Sequence, residues 1–508
     1  MTGFLRLSIR GRCLAVLVLL SVIGACGART SAIADPITLA LKDGPVTGLV
    51  DNGVLTVKGV PFAAPPVGEL RWRPTQKVAP WTAPRAAEHF SAACPQTFSP
   101  ESSAKPEPIS EDCLYLHVWA PAKAGSKRLP VMVWIHGGSW TNGSGSRPLY
   151  DGTRFAHDGV IVVTFNYRLG ALGFFAHPAL TAEAAPDAPL FAYGHLDQIA
   201  ALQWVQANIA RFGGDPGDVT VFGESAGAGS LLALLSIPQT QGLFARAIVE
   251  SAPALSLPSG LKSAEGRGKS YLASRGVKAD ATAADLRALP MESLIGSYDA
   301  SLVPDGRLQK ETYLDALAAG RAVVVPMIIG ANSDEGSLVQ YYRAMPALML
   351  TMIGPHKAEA LQNYGAETPS DAALGRTLFA DAVFGAPSRR IASLVSPVQP
   401  AYLYRFDYVA EEERGVRTGA RHGGELEFVF GTLGKGWVKS PTPADFALSE
   451  TIHACFLAFA KTGKPCANWP VYDPKTDQTL VFDPSGAHAV AAYRKAPYDL
   501  LDSLSRNH

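Results

Sequence analysis

A serine flanked by glycines lies where a short strand pattern changes into a helix pattern, in the run Gly-Glu-Ser-Ala-Gly at 223–227. The preceding residues, 219–222, are β-rich and apolar, and residues 230–235 follow as an apolar helix. Such a strand-to-helix turn is sharp and exposes the serine hydroxyl at the end of a sheet, and the glycines let neighbouring backbone pass close to it. The pattern predicts that Ser225 is a nucleophile, with an ordinary glycine-rich turn as the alternative.

Strand-like and helix-like segments alternate along the rest of the chain. Strands are predicted at 131–135, 160–165, 219–222, 245–250, 323–329 and 402–406, the first two as continuous apolar runs buried on both faces. Residues 196–209 carry apolar side chains at helical spacing, and the Gly-Gly-Asp-Pro run at 213–216 predicts a stop and a turn. This alternation favours an α/β fold with a mainly parallel sheet covered by helices on both faces.

Chain length does not decide the number of domains. The 508 residues would allow about three domains, but no linker-like stretch divides the chain, and residues 259–285 indicate added helices. We therefore expect one domain at 35–508. Hydrophobic residues make up 47% and charged residues 18%, which excludes wholesale disorder. Because 45 basic residues balance 45 acidic ones, nucleic-acid binding has little electrostatic basis.

The first 34 residues have the pattern of an export signal. Arg6, Arg10 and Arg12 precede a short apolar run, and Ala-Ile-Ala at 32–34 has the small residues of a cleavage site. We expect a signal peptide at 1–34 and a secreted or periplasmic protein without a stable membrane span. A weaker alternative is a lipoprotein box that ends at Cys26, which would give a lipid anchor at the membrane.

A second glycine-rich loop follows the predicted strand 131–135. It has the sequence His-Gly-Gly-Ser-Trp at 136–140, and glycines can turn backbone N–H groups towards a developing oxyanion without a Cβ in the way. A flexible turn is the alternative. Outside the signal, Cys94, Cys113, Cys455 and Cys466 form two close pairs that lack metal-ligand spacing, so we expect no metal and no cofactor.

With these motifs in place, the chain resembles the type-B carboxylesterase/lipase family, the cholinesterase-like α/β hydrolases. The stretches that carry the resemblance lie at 62–72, 110–116, 165–168, 212–229 and 459–463. The resemblance implies an α/β-hydrolase fold whose helical insertions form the pocket. It also implies a serine carboxylic-ester hydrolase that acts through an acyl-enzyme intermediate on small to medium neutral esters.

The family's chain order of serine, acid and histidine identifies the other catalytic candidates. Glu335 matches the acid position in a loop after the predicted strand 323–329, with its neighbour Asp334, or a solvated acidic turn, as the alternatives. His422 begins a glycine-rich loop ahead of an apolar segment and matches the catalytic base.

Further roles also come from the resemblance. The backbone N–H groups of Gly138, Ser139 and Ala226 would bind the oxyanion, and His136 would order its loop. Ser139 replaces the third glycine of the common loop and is expected to crowd the pocket floor. Glu224, Ser251 and Glu425 match family positions near the triad and are expected to support it without reacting themselves.

The resemblance implies a disulfide between Cys94 and Cys113, and Cys455–Cys466 is a second candidate. Choline-selective relatives carry a tryptophan between the first two cysteines, whereas here the only aromatic residue of that loop is Phe98. We therefore expect no preference for choline esters. Two other classes remain as alternatives: adhesion proteins of this fold, which lack one or more triad residues, and serine acyltransferases or true lipases.

Overall fold

The computed structural model describes residues 35–97, 108–123, 128–254, 260–300 and 304–505. The predicted signal peptide with Cys26, and Phe98 in the first cysteine loop, lie outside the described residues.

Thirteen strands within the described ranges form one sheet in the order β1-β2-β3-β5-β7-β6-β8-β9-β10-β11-β12-β13, with β4 paired to β2. The strands are β1 Asp35–Ala40, β2 Pro45–Asp51, β3 Val54–Pro61, β4 Arg85–Ala86, β5 Tyr115–Pro121, β6 Leu129–Ile135, β7 Ile161–Phe165, β8 Gly214–Glu224, β9 Arg246–Glu250, β10 Met327–Asn332, β11 Ala401–Phe406, β12 Gln478–Asp483 and β13 Gly486–Ala491. Neighbours from β7 to β12 run parallel, and the other neighbours in this order are antiparallel. The short strand β4 pairs with β2 in parallel. The mainly parallel sheet is as expected.

Fifteen α-helices lie between or beside these strands in the described chain. They are α1 Thr153–His157, α2 Gly170–Phe174, α3 Pro178–Glu183, α4 Tyr193–Asn208, α5 Ala226–Leu235, α6 Leu261–Ala273, α7 Ala283–Arg287, α8 Tyr313–Ala318, α9 Met345–Ile353, α10 Lys357–Tyr364, α11 Asp371–Ala380, α12 Ala386–Val395, α13 Leu426–Phe430, α14 Pro443–Thr462 and α15 Lys495–Ser505. A π-helical turn, Asp381–Gly385, joins α11 to α12. The added helices predicted at 259–285 correspond to α6 and the start of α7.

All six predicted strands are present, and the two largest differences in their boundaries lie at the starts of β10 and β8. The run predicted at 323–329 becomes a strand only at Met327, because Pro326 has no N–H to give to a ladder. Strand β8 already begins at Gly214, although the sequence predicted a turn through Pro216. The turn is complete at Gly213, which adopts a φ of 86° after α4 and a 3-10 segment, so the strand begins at the next residue.

The central strands are buried on both faces because their apolar runs supply side chains to two separate cores. In β6, Val131, Val133 and Ile135 pack into one core with residues of α4 and α5. Met132 and Trp134 point to the opposite face and pack with residues of α13 and α14. Side chains alternate across a strand, so a continuous apolar run covers both faces and requires helices on each.

Two disulfides hold surface loops to this framework. One joins Cys94 to Cys113 and the other joins Cys455, in α14, to Cys466. Structural disulfides persist in oxidising compartments, so the pair indicates a protein located outside the cytoplasm. No helix in the described part of the chain has the length and apolar character needed to span a bilayer.

Candidate active site

Ser225 lies in the sharp turn between β8 and α5. Its φ of 54° and ψ of −124° put a non-glycine residue in a strained backbone conformation. The Ser225 N–H donates to the Glu250 carbonyl at 2.9 Å, which ties the turn to the end of β9. The turn also needs glycine two residues on, because a Cβ at Gly227 would collide with the Ile135 carbonyl oxygen. The serine is thus fixed at the carboxyl end of the parallel sheet.

Glu335 follows β10 at the same edge of the sheet and is fully buried. Its Oε1 accepts hydrogen bonds from the Ser251 hydroxyl at 2.5 Å and from the Asn332 N–H at 2.7 Å. Its Oε2 lies 2.5 Å from Nδ1 of His422. Burial by itself would raise the pKa of this carboxyl, but His422, Ser251 and Asn332 outweigh burial and hold the pKa below its ordinary value. The group is therefore a carboxylate at neutral pH.

The neighbouring acid has a different partner. Asp334 forms an ion pair with Arg376 at 2.6 Å, and its backbone N–H donates to the Ala420 carbonyl at 2.7 Å. Of the two candidate acids, only Glu335 contacts the imidazole within the described structure.

His422 is held between two carboxylates. Besides Glu335 on Nδ1, Oε1 of Glu224 lies 3.0 Å from Nε2. The His422 backbone N–H donates to the Ser337 hydroxyl at 3.1 Å, which fixes the loop. Burial opposes the imidazolium charge, but the negative charges of Glu224 and Glu335 outweigh burial and raise the pKa of His422 well above its ordinary value. Among the described residues, the Ser225 hydroxyl forms no hydrogen bond.

Glu224 therefore lies closer to the chemistry than the sequence indicated, since we expected it to be separated from the reacting groups by another residue. It ends β8 directly before Ser225, and its side chain fits between two glycine turns. A Cβ at Gly137 would lie 2.7 Å from Oε2, and one at Gly423 would lie 3.3 Å from Oε1. The absence of side chains at these two positions allows the carboxylate to reach the imidazole.

Two further carboxyl groups are buried beside this pair. Glu425 accepts a hydrogen bond from the Asn332 side-chain amide, and burial together with the charge of Glu224 raises its pKa to about 8. Glu250 is fully buried, and neither of its carboxyl oxygens has a hydrogen-bond partner in the described chain. Burial, followed by the charges of Glu425 and Glu224, raises the pKa of Glu250 well above its ordinary value. At neutral pH we therefore expect Glu250 to be a neutral acid.

The loop after β6 has an unusual backbone and firm anchors. Gly138 has a φ of 111°, and Ser139 and Trp140 follow with φ values of 54° and 56°. The Trp140 indole N–H donates to the Ser230 hydroxyl at 2.9 Å, which ties the loop to α5. Gln96 holds the far side through two hydrogen bonds to Gly143, at 2.7 and 2.8 Å. The loop is therefore a preorganised source of backbone donors.

His136 has the environment of a structural residue. Its ring stacks on Tyr167 with 4.4 Å between ring centres, and the Tyr167 hydroxyl donates to the His136 carbonyl at 2.8 Å. Burial lowers the pKa of His136 to about 3, so the ring is neutral. Ala226 begins α5, where a backbone N–H has no partner within the helix. No cluster of His, Cys, Asp and Glu suited to a metal ion occurs in the residues that the structure describes.

Comparison with known proteins agrees with this geometry. The carboxylesterase family model matches residues 35–364 and 357–500. The chain is 36% identical to fumonisin B1 esterase of Sphingopyxis macrogoltabida over 463 residues, covering 85% of this chain and 84% of that protein. It is also 36% identical to para-nitrobenzyl esterase of Bacillus subtilis (strain 168) over 470 residues, covering 87% and 93%. The chain belongs to the carboxylesterase family.

A solved structure gives the same result for the fold of this carboxylesterase. A PNB esterase superposes with a TM-score of 0.80 at 32% identity, covering 91% of this chain and 99% of that one. The predicted α/β-hydrolase fold and the predicted family are confirmed, and the protein is an ester-hydrolysing enzyme. The general mechanism of the family proceeds through an acyl-enzyme intermediate on a serine.

Sequence reasoning missed one group at the site of this carboxylesterase. Glu250 ends β9 directly opposite Glu224 in the parallel pairing of β8 and β9. The signal for Glu250 is that two neighbouring buried strands each end in an acidic residue. That signal can be used only when the strand order is known.

Proposed function

We propose that Ser225, His422 and Glu335 are the catalytic triad of this esterase. The observation that supports the proposal most directly is the 2.5 Å contact between Glu335 Oε2 and His422 Nδ1. A carboxylate at Nδ1 orients the imidazole, fixes its tautomer and balances the imidazolium that forms during the reaction.

In the proposed mechanism, Nε2 of His422 takes the Ser225 proton as the serine attacks the ester carbonyl. This requires a neutral imidazole, so it proceeds only above the pKa of His422. Catalytic hydrogen bonds are often long in free enzymes and tighten when substrate binds. We infer that the hydrogen bond between Ser225 and His422 forms when substrate binds, while Glu224 stays beside the imidazolium.

The oxyanion would be bound by the backbone N–H groups of Gly138, Ser139 and Ala226. Replacement of a glycine by Ser139 leaves its N–H available, since only the side chain differs. The alcohol then leaves with the proton from His422, and water repeats the sequence on the acyl-enzyme.

We propose small to medium neutral esters as substrates of this enzyme. We also propose export to the periplasm or medium, with cleavage after Ala34 in preference to lipid attachment at Cys26. The amino-terminal sequence of the exported protein distinguishes the two, because cleavage would leave Asp35 as the first residue.

The triad is tested with a fluorophosphonate probe, which labels nucleophilic serines. We expect the wild type to be labelled on the peptide that contains Ser225. The Ser225→Ala variant should not be labelled, and its kcat should fall at least about 1,000-fold. Ser485→Ala, in an exposed turn, is the matched control and should behave as the wild type. Labelling of another serine with retained activity in Ser225→Ala would contradict the assignment.

A further inference from the structure

Two hydroxyl groups from distant parts of the chain meet beside the active site. The Ser139 Oγ lies 2.7 Å from the hydroxyl oxygen of Tyr342, although 203 residues separate them in sequence. Ser139 belongs to the loop that supplies the proposed oxyanion donors. Tyr342 follows the 3-10 turn Glu335–Gln340, which begins with the proposed catalytic acid. Tyr342 is 40% exposed, so the contact lies at the surface of the molecule.

A row of aromatic rings leads from this contact to the histidine. The Tyr342 and Phe379 rings are 6.1 Å apart, and the Phe379 and Phe384 rings are also 6.1 Å apart. The Phe384 ring then lies 5.2 Å from the imidazole of His422. Phe379 and Phe384 are buried, and Phe384 is in the π-helical turn, so this side of the site is a rigid apolar wall.

The oxyanion loop leads from the same contact to the serine. Ser139 is two residues from Gly137, where a Cβ would lie only 3.2 Å from the Ser225 Cβ. Since Trp140 and Gly143 are anchored by hydrogen bonds, this side is also rigid. The loop, the hydroxyl pair and the aromatic row together form a connected border that runs from Ser225 to His422.

We propose that the Ser139–Tyr342 hydroxyl pair closes the rim of the catalytic cleft and limits the width of the esters that the enzyme accepts. This inference rests on the proposed nucleophilic role of Ser225. A narrow ester reaches the serine with the pair intact, whereas a wide acyl or alcohol group has to separate the two hydroxyls. The favoured substrates are therefore esters whose groups next to the scissile bond are narrow and unbranched.

The size of the effect follows from the nature of the contact. Once separated, both exposed hydroxyls can bond water, so a wide substrate loses only the net value of one neutral hydrogen bond. That value corresponds to about a fivefold penalty in kcat/KM. The hydroxyl pair is therefore a part of the border that a substrate can open at low cost.

The test compares Tyr342→Phe and Ser139→Ala with the wild type and the double variant. Each single change removes one hydroxyl but keeps the ring or the backbone donor. The readout is the kcat/KM ratio of 4-nitrophenyl benzoate to 4-nitrophenyl acetate, and of 1-naphthyl acetate to methyl acetate. We expect one ratio or both to rise about fivefold in each single variant, and we expect acetate hydrolysis in Tyr342→Phe to stay within about twofold of the wild type. The double variant should equal the singles, because all three lose the same bond.

Ser293→Ala removes an exposed serine hydroxyl far along the chain and serves as the matched control, with unchanged ratios expected. Ratios unchanged in both single variants would overturn the proposal. So would an additive double variant, or a tenfold loss with the small ester in Tyr342→Phe, which would show that the pair positions the oxyanion loop. These ratios can be measured on any active wild-type enzyme, whichever serine is the nucleophile. The labelling experiment tests the assignment of Ser225 separately, so the two failures can be told apart.

Discussion

Replacing Glu224 with Gln tests how the two carboxylates around His422 control the pH dependence of the reaction. In the structure Glu224 Oε1 lies 3.0 Å from Nε2, while Glu335 occupies Nδ1. Glutamine keeps the shape of the side chain but removes its negative charge. The imidazolium is then stabilised by one carboxylate instead of two, so the pKa of His422 falls.

The magnitude follows from Coulomb's law at this distance. Two unit charges 3.0 Å apart interact by about 1.4 kcal/mol at a dielectric constant of about 80 and by about 5.5 kcal/mol at about 20. The charge of Glu224 therefore stabilises the imidazolium and helps to raise the pKa of His422. A single opposite charge at such range typically shifts a pKa by about 1 to 3 units. We expect a shift of at least about one unit.

The assay is kcat/KM for a neutral ester between pH 5 and 10. In the proposed mechanism a protonated His422 cannot accept the serine proton, so we expect activity to rise with pH through the pKa of His422 in the free enzyme. An unperturbed histidine would put this rise near about pH 6.5. In the wild type we expect it at a higher pH, because Glu224 and Glu335 raise the pKa of His422.

In Glu224→Gln the rise should move to lower pH by at least about one unit. Glu311→Gln, which removes a surface carboxylate paired with Arg321, is the control and should leave the profile unchanged. An acid limb that stays within about 0.3 pH units of the wild type, or moves upwards, would refute the reasoning.

Three further predictions concern stability and specificity. Because the pKa of Glu250 is raised, the folded state keeps a proton that the unfolded state releases, and stability falls as pH rises above about 4.5. Glu250→Gln should therefore raise the Tm more at pH 8 than at pH 5. An equal change in Tm at both pH values would contradict this. Replacing Cys455 and Cys466 with serine opens a loop of sequence separation 11 and should lower the free energy of unfolding, measured with denaturant, by about 3 kcal/mol. An unchanged free energy of unfolding would show that the disulfide is not formed in solution. With Phe98 as the only aromatic residue of its loop, kcat/KM for a choline ester should not exceed that of the neutral alkyl ester, and a preference above about 100-fold would reveal another aromatic wall.

Much of the framework could be predicted because its signals are local. Each buried strand of the sheet is a short run of apolar, β-branched residues, and a continuous run such as 131–135 already indicates a strand covered on both faces. The strand-to-helix turn at Ser225 also combines a strand, glycines and a helix within a few residues. Strand ends were less predictable, since Gly214 and Met327 begin their strands where the neighbouring strand offers partners.

At the active site, too, local motifs predict the candidate residues, but they do not predict the contacts between them. The family, the sheet and the candidates Ser225, Glu335 and His422 could be predicted from the sequence alone. Each candidate stands in a local motif with a defined place after a strand. The groups that touch are known from the three-dimensional structure alone, since Glu335 and His422 are 87 residues apart and the Ser139–Tyr342 contact spans 203. The structure also shows that the acids ending adjacent parallel strands lie together at one edge of the sheet. Contacts of this kind depend on strand order and on the few tenths of an ångström left between packed side chains, and neither is written in any short run of residues.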